Sequence, residues 1–251
     1  MRHLKNLAVD DDFSGSWCNS NAVTSSVMEA VSFITPELEN FFIKTTIESM
    51  FGIKDAALKE RCLSFIREEA AHTTAHKKLN TALLEYLVTP PPTIGLFHAL
   101  LMSIKKHVTL SCRLLFVVAL EHFSTVLSKR FLTLHKNWVM GSNYAKALFT
   151  GHAVEEMGHR SVIFDLWHQR ESCNRFKKFL AVTLILLFGI AYVLATSCWI
   201  LYQKNGRNIN KTLREVITYI CRQHHFSSGL DLLRELYQFV GKDFHPDLII
   251  E

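Results

Sequence analysis

Glycine and proline are scarce in this chain, ten and five among 251 residues. Long stretches of apolar periodicity run unbroken between them, which argues for an almost all-helical protein. Paired cysteines are missing too. Cys18, Cys62, Cys112, Cys173, Cys198 and Cys221 are dispersed with no Cys-x-x-Cys, against a zinc ribbon or disulfide scaffold and for reduced thiols facing the cytosol. Basic clusters are absent: the net charge is +5 and lysines and arginines are scattered, so nucleic-acid binding has no support. The N-terminus lacks the basic start and apolar run of a secretory signal. No Gly-x-Ser-x-Gly elbow occurs, and a serine hydrolase is unsupported.

What the chain does have is apolar bulk, 49% of its residues, enough for one sizeable domain with a buried core. Residues 1–34, with Asp10-Asp11-Asp12 and a Ser/Asn-rich stretch, read as an N-terminal arm. Thr35-Pro36-Glu37 has the make-up of a helix start, and that helix should end near Phe51. Asp55 can cap a second helix, which Pro90-Pro91-Pro92 must stop. A long apolar helix or broken pair is expected over about 94–135, and a further helix over about 144–169.

Residues 179–202 are 24 positions without a formal charge, flanked by Lys177, Lys178, Lys204 and Arg207. About 20 apolar residues suffice to cross a bilayer, so this is a transmembrane candidate. A buried helix or an interfacial hairpin, with Gly189 near its middle, is the alternative. Short amphipathic helices over about 209–223 and 228–240 should close the chain. The expected organisation is an arm (1–34), a metal-binding helix bundle (35–172), an apolar membrane-associated segment (173–208) and C-terminal helices (209–251). The metal domain is expected to face the cytoplasm.

Two copies of Glu-x-x-His carry the chemistry: Glu69-Ala-Ala-His72 and Glu156-Met-Gly-His159. Residues three apart on a helix lie roughly 60° from one another, so each Glu and His share a face. Each motif follows a helix with one glutamate on its apolar side. On the first, Glu39 shares the side of Phe42, Ile43, Ile47 and Met50, while Glu37 and Glu48 fall opposite. On the third, Glu121 lies on the stripe of Leu114, Val117, Val118 and Thr125. A carboxylate ionised and unpaired in that setting would cost several kcal/mol. No lysine or arginine shares the stripe nearby, which points to metal.

Glu39, Glu69, Glu121 and Glu156 bring four negative charges, which two divalent cations would cancel, and His72 and His159 complete the set. Carboxylates with imidazoles suit iron or manganese, with zinc a further option, and the absence of thiolates disfavours soft-metal sites. His76, His152 and Glu155 are further ligands or groups supporting the ligands. Glu68 and Asp165 are assigned to a solvated face or to such support. His107, His122 and His135 are unassigned.

Paired Glu-x-x-His motifs with two lone glutamates on four helices resemble the ligand set of ferritin-like di-metal carboxylate bundles. The segments Phe65-Ile-Arg-Glu-Glu-Ala-Ala-His72 with His76 and Asn80, Leu120-Glu-His-Phe-Ser124, and His152-Ala-Val-Glu-Glu-Met-Gly-His159-Arg with Phe164-Asp165 resemble a family named "predicted metal-dependent hydrolases". Pro36-Glu-Leu-Glu39-Asn-Phe-Phe42 is similar to that family's proline-then-Glu-x-Phe-Phe segment and again selects Glu39. The chain departs where Glu68 replaces the usual glutamine, Gly151 a tryptophan and Gly158 a glutamate.

The expected fold is all-α: a ferritin-like four-helix bundle with an added apolar helix or hairpin and short C-terminal helices. The expected function is a di-iron oxidase or oxygenase acting on an apolar or lipid-like substrate, with membrane contact and an external electron donor. Glu121 and one of Glu69 or Glu156 would bridge the metals and act in catalysis. The family resemblance implies the alternative, a hydrolase using metal-activated water. A non-catalytic metal-binding membrane protein is the third reading.

Overall fold

The computed structural model describes residues 4, 7–9, 12–134, 138–170, 174–222 and 226–247. Asp10, Asp11, His135 and Cys173 lie outside them. Among the described residues the fold is all-α, with one isolated bridge between Cys18 and Met140.

Helix α1 spans Ala22–Ser49 and α2 spans Ala56–Leu84. Asn21 caps α1 by accepting the Thr24 N–H at 2.9 Å, and Asp55 caps α2 by accepting those of Ala57 and Leu58. The expected arm is therefore shorter, and Thr35-Pro36 lies inside α1 instead of opening it. A proline there leaves the Ser32 carbonyl without its helical donor. Asn80 Nδ2 of α2 donates to that carbonyl at 2.9 Å, so the helix carries through. The Thr35 hydroxyl, expected as a cap, donates to the Val31 carbonyl within the helix.

Helices α3 (Pro92–His107) and α4 (Leu110–Leu134) are the broken form of the expected apolar stretch, parted at the extended residue Val108. The expected helix 144–169 is also divided, into α5 (Asn143–His159) and α6 (Val162–His168). Then follow α7 (Arg175–Lys204), α8 (Ile209–Arg222) and α9 (Phe226–Tyr237).

α1, α2, α5 and α4 pack in that cyclic order. α1 and α2 run antiparallel, since Glu39 meets Thr73 while Ser32 meets Asn80. α2 and α5 do the same, pairing Glu68 with His159 and His76 with His152. Glu48 near the end of α1 pairs with Arg113 near the start of α4 at 2.7 Å, and α3 is the crossover that allows α4 to enter there. Two apolar clusters fill this bundle. One gathers Phe41, Phe42, Phe65 and Leu114, the other Phe33, Leu79, Leu148 and Phe149. The Glu-x-x-His layer lies between them.

Helix α7 packs along α1. It buries Ala181, Val182, Ile200 and Leu201 and exposes Phe179, Leu187, Phe188, Ile190 and Leu194. Of its flanking lysines Lys177 is exposed, while Lys178 and Lys204 are engaged inside the protein. Lys178 is 1% exposed, ringed by Phe164, Trp167, Phe239 and Phe244 at 5.1–5.8 Å. Lys204 pairs with buried Glu29 at 2.7 Å, and Glu29 also accepts from Trp17 Nε1 at 2.6 Å.

Candidate metal centre

The four bundle helices bring all six expected ligands into the interior. Glu39, Glu69, His72, Glu121, Glu156 and His159 are each at most 3% exposed. His72 Nδ1 lies 3.8 Å from Glu39 Oε1, 3.7 Å from Glu69 Oε1 and 3.8 Å from Glu156 Oε1. His159 Nδ1 lies 2.9 Å from Glu69 Oε1, without the alignment of a hydrogen bond, and 3.8 Å from Glu156 Oε1. Glu121 stands outside these closest groupings, but it faces the like charges of Glu156 and Glu69.

A buried polar atom without a hydrogen bond costs roughly 1–3 kcal/mol, and such atoms concentrate here. Glu39 Oε1, both oxygens of Glu69, both oxygens of Glu121, His72 Nδ1 and His159 Nδ1 have no hydrogen-bond partner. These are hard oxygen and imidazole donors, the set that divalent iron, manganese or zinc accepts. The residues fit the cations that the sequence implies. Burial, reinforced by the Glu69 charge, pushes the Glu39 carboxyl well above its usual range, so a lone proton would take the place of absent positive charge.

The far nitrogen of each ligand imidazole is held from the opposite motif. His72 Nε2 donates to Glu155 Oε2 at 2.8 Å, and His159 Nε2 donates to Glu68 Oε2 at 2.7 Å. Each supporting carboxylate immediately precedes a ligand glutamate, so the two Glu-Glu-x-x-His segments brace one another crosswise. Such contacts orient a ligand imidazole with Nδ1 toward the metal. The hydrogen bond from His72 pulls the Glu155 carboxyl down to about 2. Burial alone would raise Glu68, but the His159 and Ser64 hydrogen bonds bring it below its usual range. Thr73 donates to Glu39 Oε2 at 2.8 Å, and Ser124 donates to Glu156 Oε2.

His76 and His152 form a further line. His76 Nδ1 meets Ser32 Oγ, and its Nε2 meets His152 Nδ1, both at 2.9 Å. His152 Nε2 is 3.0 Å from Glu156 Oε1. Burial, then the neighbouring imidazoles, push His76 well below the usual histidine range.

Sequence reasoning placed Glu68 among solvated or supporting groups, and the support is what the structure displays. It missed Thr73, Ser124 and Ser32 as partners, because nothing local marks a hydroxyl that will face another helix. Glu37 and Glu48 stay outside the centre as expected, paired with His98 and Arg113. Asp165 pairs with Arg61 at 2.6 Å, away from the ligands. His122 is packed, its Nε2 donating to the Glu235 and Leu236 carbonyls, and His107 is exposed. Gly158, one of the departures noted in the sequence, is exposed, so that departure lies on the surface.

A cavity of about 2300 Å³ reaches the centre, with Glu39, Glu69, His76, His152 and Glu156 in its wall. Most of the remaining wall is apolar, including Val31, Leu38, Leu101, Leu120, Phe123 and Phe188.

Four carboxylates and two imidazoles, buried and converging beside an apolar cavity, define a candidate site for divalent cations in an all-helical protein. The chain belongs to the family described as "Predicted metal-dependent hydrolase", which matches residues 2–249. No curated protein and no solved structure matches it.

Proposed function

We propose that this protein is a dinuclear metal enzyme, with iron as the metal, that oxidises a long apolar substrate using dioxygen and an external electron donor. The observation that carries this reading is the set of unpartnered oxygen and nitrogen donors from Glu39, Glu69, His72, Glu121 and His159 beside a mainly apolar cavity. Glu39, Glu69, Glu121, Glu156, His72 and His159 would hold the cations, which when bound supply Lewis acidity and, for iron, electrons to dioxygen. Glu121, Glu69 and Glu156 would be the carboxylates that act in catalysis. Thr73 and Ser124 orient Glu39 and Glu156, while Glu68 and Glu155 hold the imidazoles. The apolar residues of the cavity wall would keep water scarce around the reacting groups.

The cavity's size supports a long substrate. Ordinary small-molecule pockets span about 300–1,000 Å³, well below the volume here. Supply from a lipid surface agrees with the outer face of α7. Both α4 and α7 are long and apolar enough to cross a membrane. However, α4 carries Glu121 inside the bundle, and α7 lies along α1, which bears Glu37 and Lys44. Contact of α7 with one leaflet therefore suits the packing better than a crossing.

The family's description favours a second reading, hydrolysis by a metal-activated water. Metal analysis of the protein purified from its native host, with optical spectra under anaerobic and aerobic conditions, separates the two. Two irons whose spectrum changes reversibly with dioxygen support oxidation. A colourless metal protein that cleaves esters or phosphates under strict anaerobiosis overturns it in favour of hydrolysis.

A further inference from the structure

The hydrogen bonds behind His152 determine which of its nitrogens carries a proton. They begin at Pro36, which lacks an N–H and leaves the Ser32 carbonyl as a pure acceptor. The Asn80 atom 2.9 Å from that carbonyl must then be the amide nitrogen. Asn80 Oδ1 consequently faces the Ser32 hydroxyl, 2.6 Å away, and takes its single proton. With that proton committed, Ser32 Oγ can only accept from His76 Nδ1, at 2.9 Å. His76 is 1% exposed, and a neutral imidazole protonated at Nδ1 has a lone pair at Nε2. His152 Nδ1, 2.9 Å from that lone pair, must donate to it.

That leaves Nε2 as the His152 atom that faces the carboxylates. It donates a hydrogen bond to Glu156 Oε1 at 3.0 Å and lies 3.7 Å from Glu39 Oε1. Nε2 and the oxygens of Glu156 and Glu39 converge as the donors of one ion do, and a metal would take the place of the proton between them. We propose that His152 is a third histidine ligand, bound through Nε2, and that it makes the two metal positions inequivalent. Glu39, His72 and His152 surround one position, Glu69 and His159 the other, and Glu156 stands close to all three imidazoles. The His72 and His152 rings stack with centroids 4.2 Å apart, as two ligands of one ion can. His152 lines the cavity whereas His72 and His159 do not, so the two-histidine position is the one nearer the substrate space. Ser32, Asn80 and His76 are positioning residues for it. This inference rests on the metal-centre reading above.

The test uses the full chain, stripped of metal and titrated with Fe²⁺ under anaerobic conditions, with X-ray absorption to count imidazoles on the metal. The wild type should bind two equivalents with distinct affinities and show three imidazoles over two irons. His152→Gln, which preserves volume, should show two imidazoles and a tighter-site affinity reduced at least tenfold, while the second equivalent still binds and reports an intact fold. Asn80→Ala keeps His152 but removes the constraint on its tautomer. Its tighter site should weaken by about 10–100-fold, the usual effect of losing a group behind a metal-bound histidine. Two imidazoles over two irons in the wild type, or wild-type affinities in His152→Gln, overturn the inference and leave the metal centre standing. A wild-type chain that takes up no iron overturns both.

Discussion

Glu121 illustrates how a single side chain can be costly and necessary at once. Its carboxylate has no hydrogen-bond partner and is 1% exposed. Replacing a buried charged group with an apolar one of similar size is often stabilising by ~1–4 kcal/mol. Glu121→Leu should therefore raise the melting temperature of metal-free protein while abolishing the stabilisation that added metal provides. Thermal unfolding with and without metal reads both effects, and a destabilised metal-free variant would contradict the assignment. Glu155→Ala and Glu68→Ala should each weaken metal binding about 10–100-fold with the helical content unchanged, as titration and circular dichroism can check. The expected ligands Glu69, His72, Glu156 and His159 could be picked out because their spacing is local to one helix. Glu68 and Glu155 were legible only with alternatives attached, because each serves the opposite motif and the sequence does not record which helices will face.

At the scale of elements, proline was the misleading residue. Pro36 suits a first turn by local rules, yet it sits midway along α1, because Asn80 of another helix satisfies the carbonyl that it frees. The Asp55 cap was readable because its partners, the backbone amides of Ala57 and Leu58, lie only two and three residues further on. Helix α7 was recognisable from its uncharged run, but only the fold distinguishes its buried face from its exposed one. If that outer face meets lipid, Leu187→Asp with Phe188→Asp should sharply reduce co-sedimentation of the full chain with phospholipid vesicles. Both side chains are exposed, so the melting temperature should scarcely move. Unchanged sedimentation would remove the membrane from the account.

For the whole molecule, metal and fold should be linked. A ligand that binds only the native state stabilises it by about 2.7 kcal/mol at a hundred times its dissociation constant. Chelation should lower the melting temperature of the native protein, and returning metal should restore it. The donors must be deprotonated to bind. The metal-linked stability is therefore present near neutrality and lost as pH falls through the imidazole and then the carboxylate range. Melting curves from pH 7.5 down to about 4.5, with and without chelator, should converge at the acid end. The cavity is a property of this scale alone: its wall draws on α1, α2, α3, α4, α5, α7, α8 and α9, segments whose convergence no local pattern announces.

Anomalous X-ray scattering from crystals of the full-length protein grown with iron tests the centre most directly. Two strong peaks are expected inside the four-helix bundle, bounded by Glu39, Glu69, Glu121 and Glu156. Crystals in which these carboxylates surround no scattering metal, or in which the metal binds elsewhere, would contradict the account.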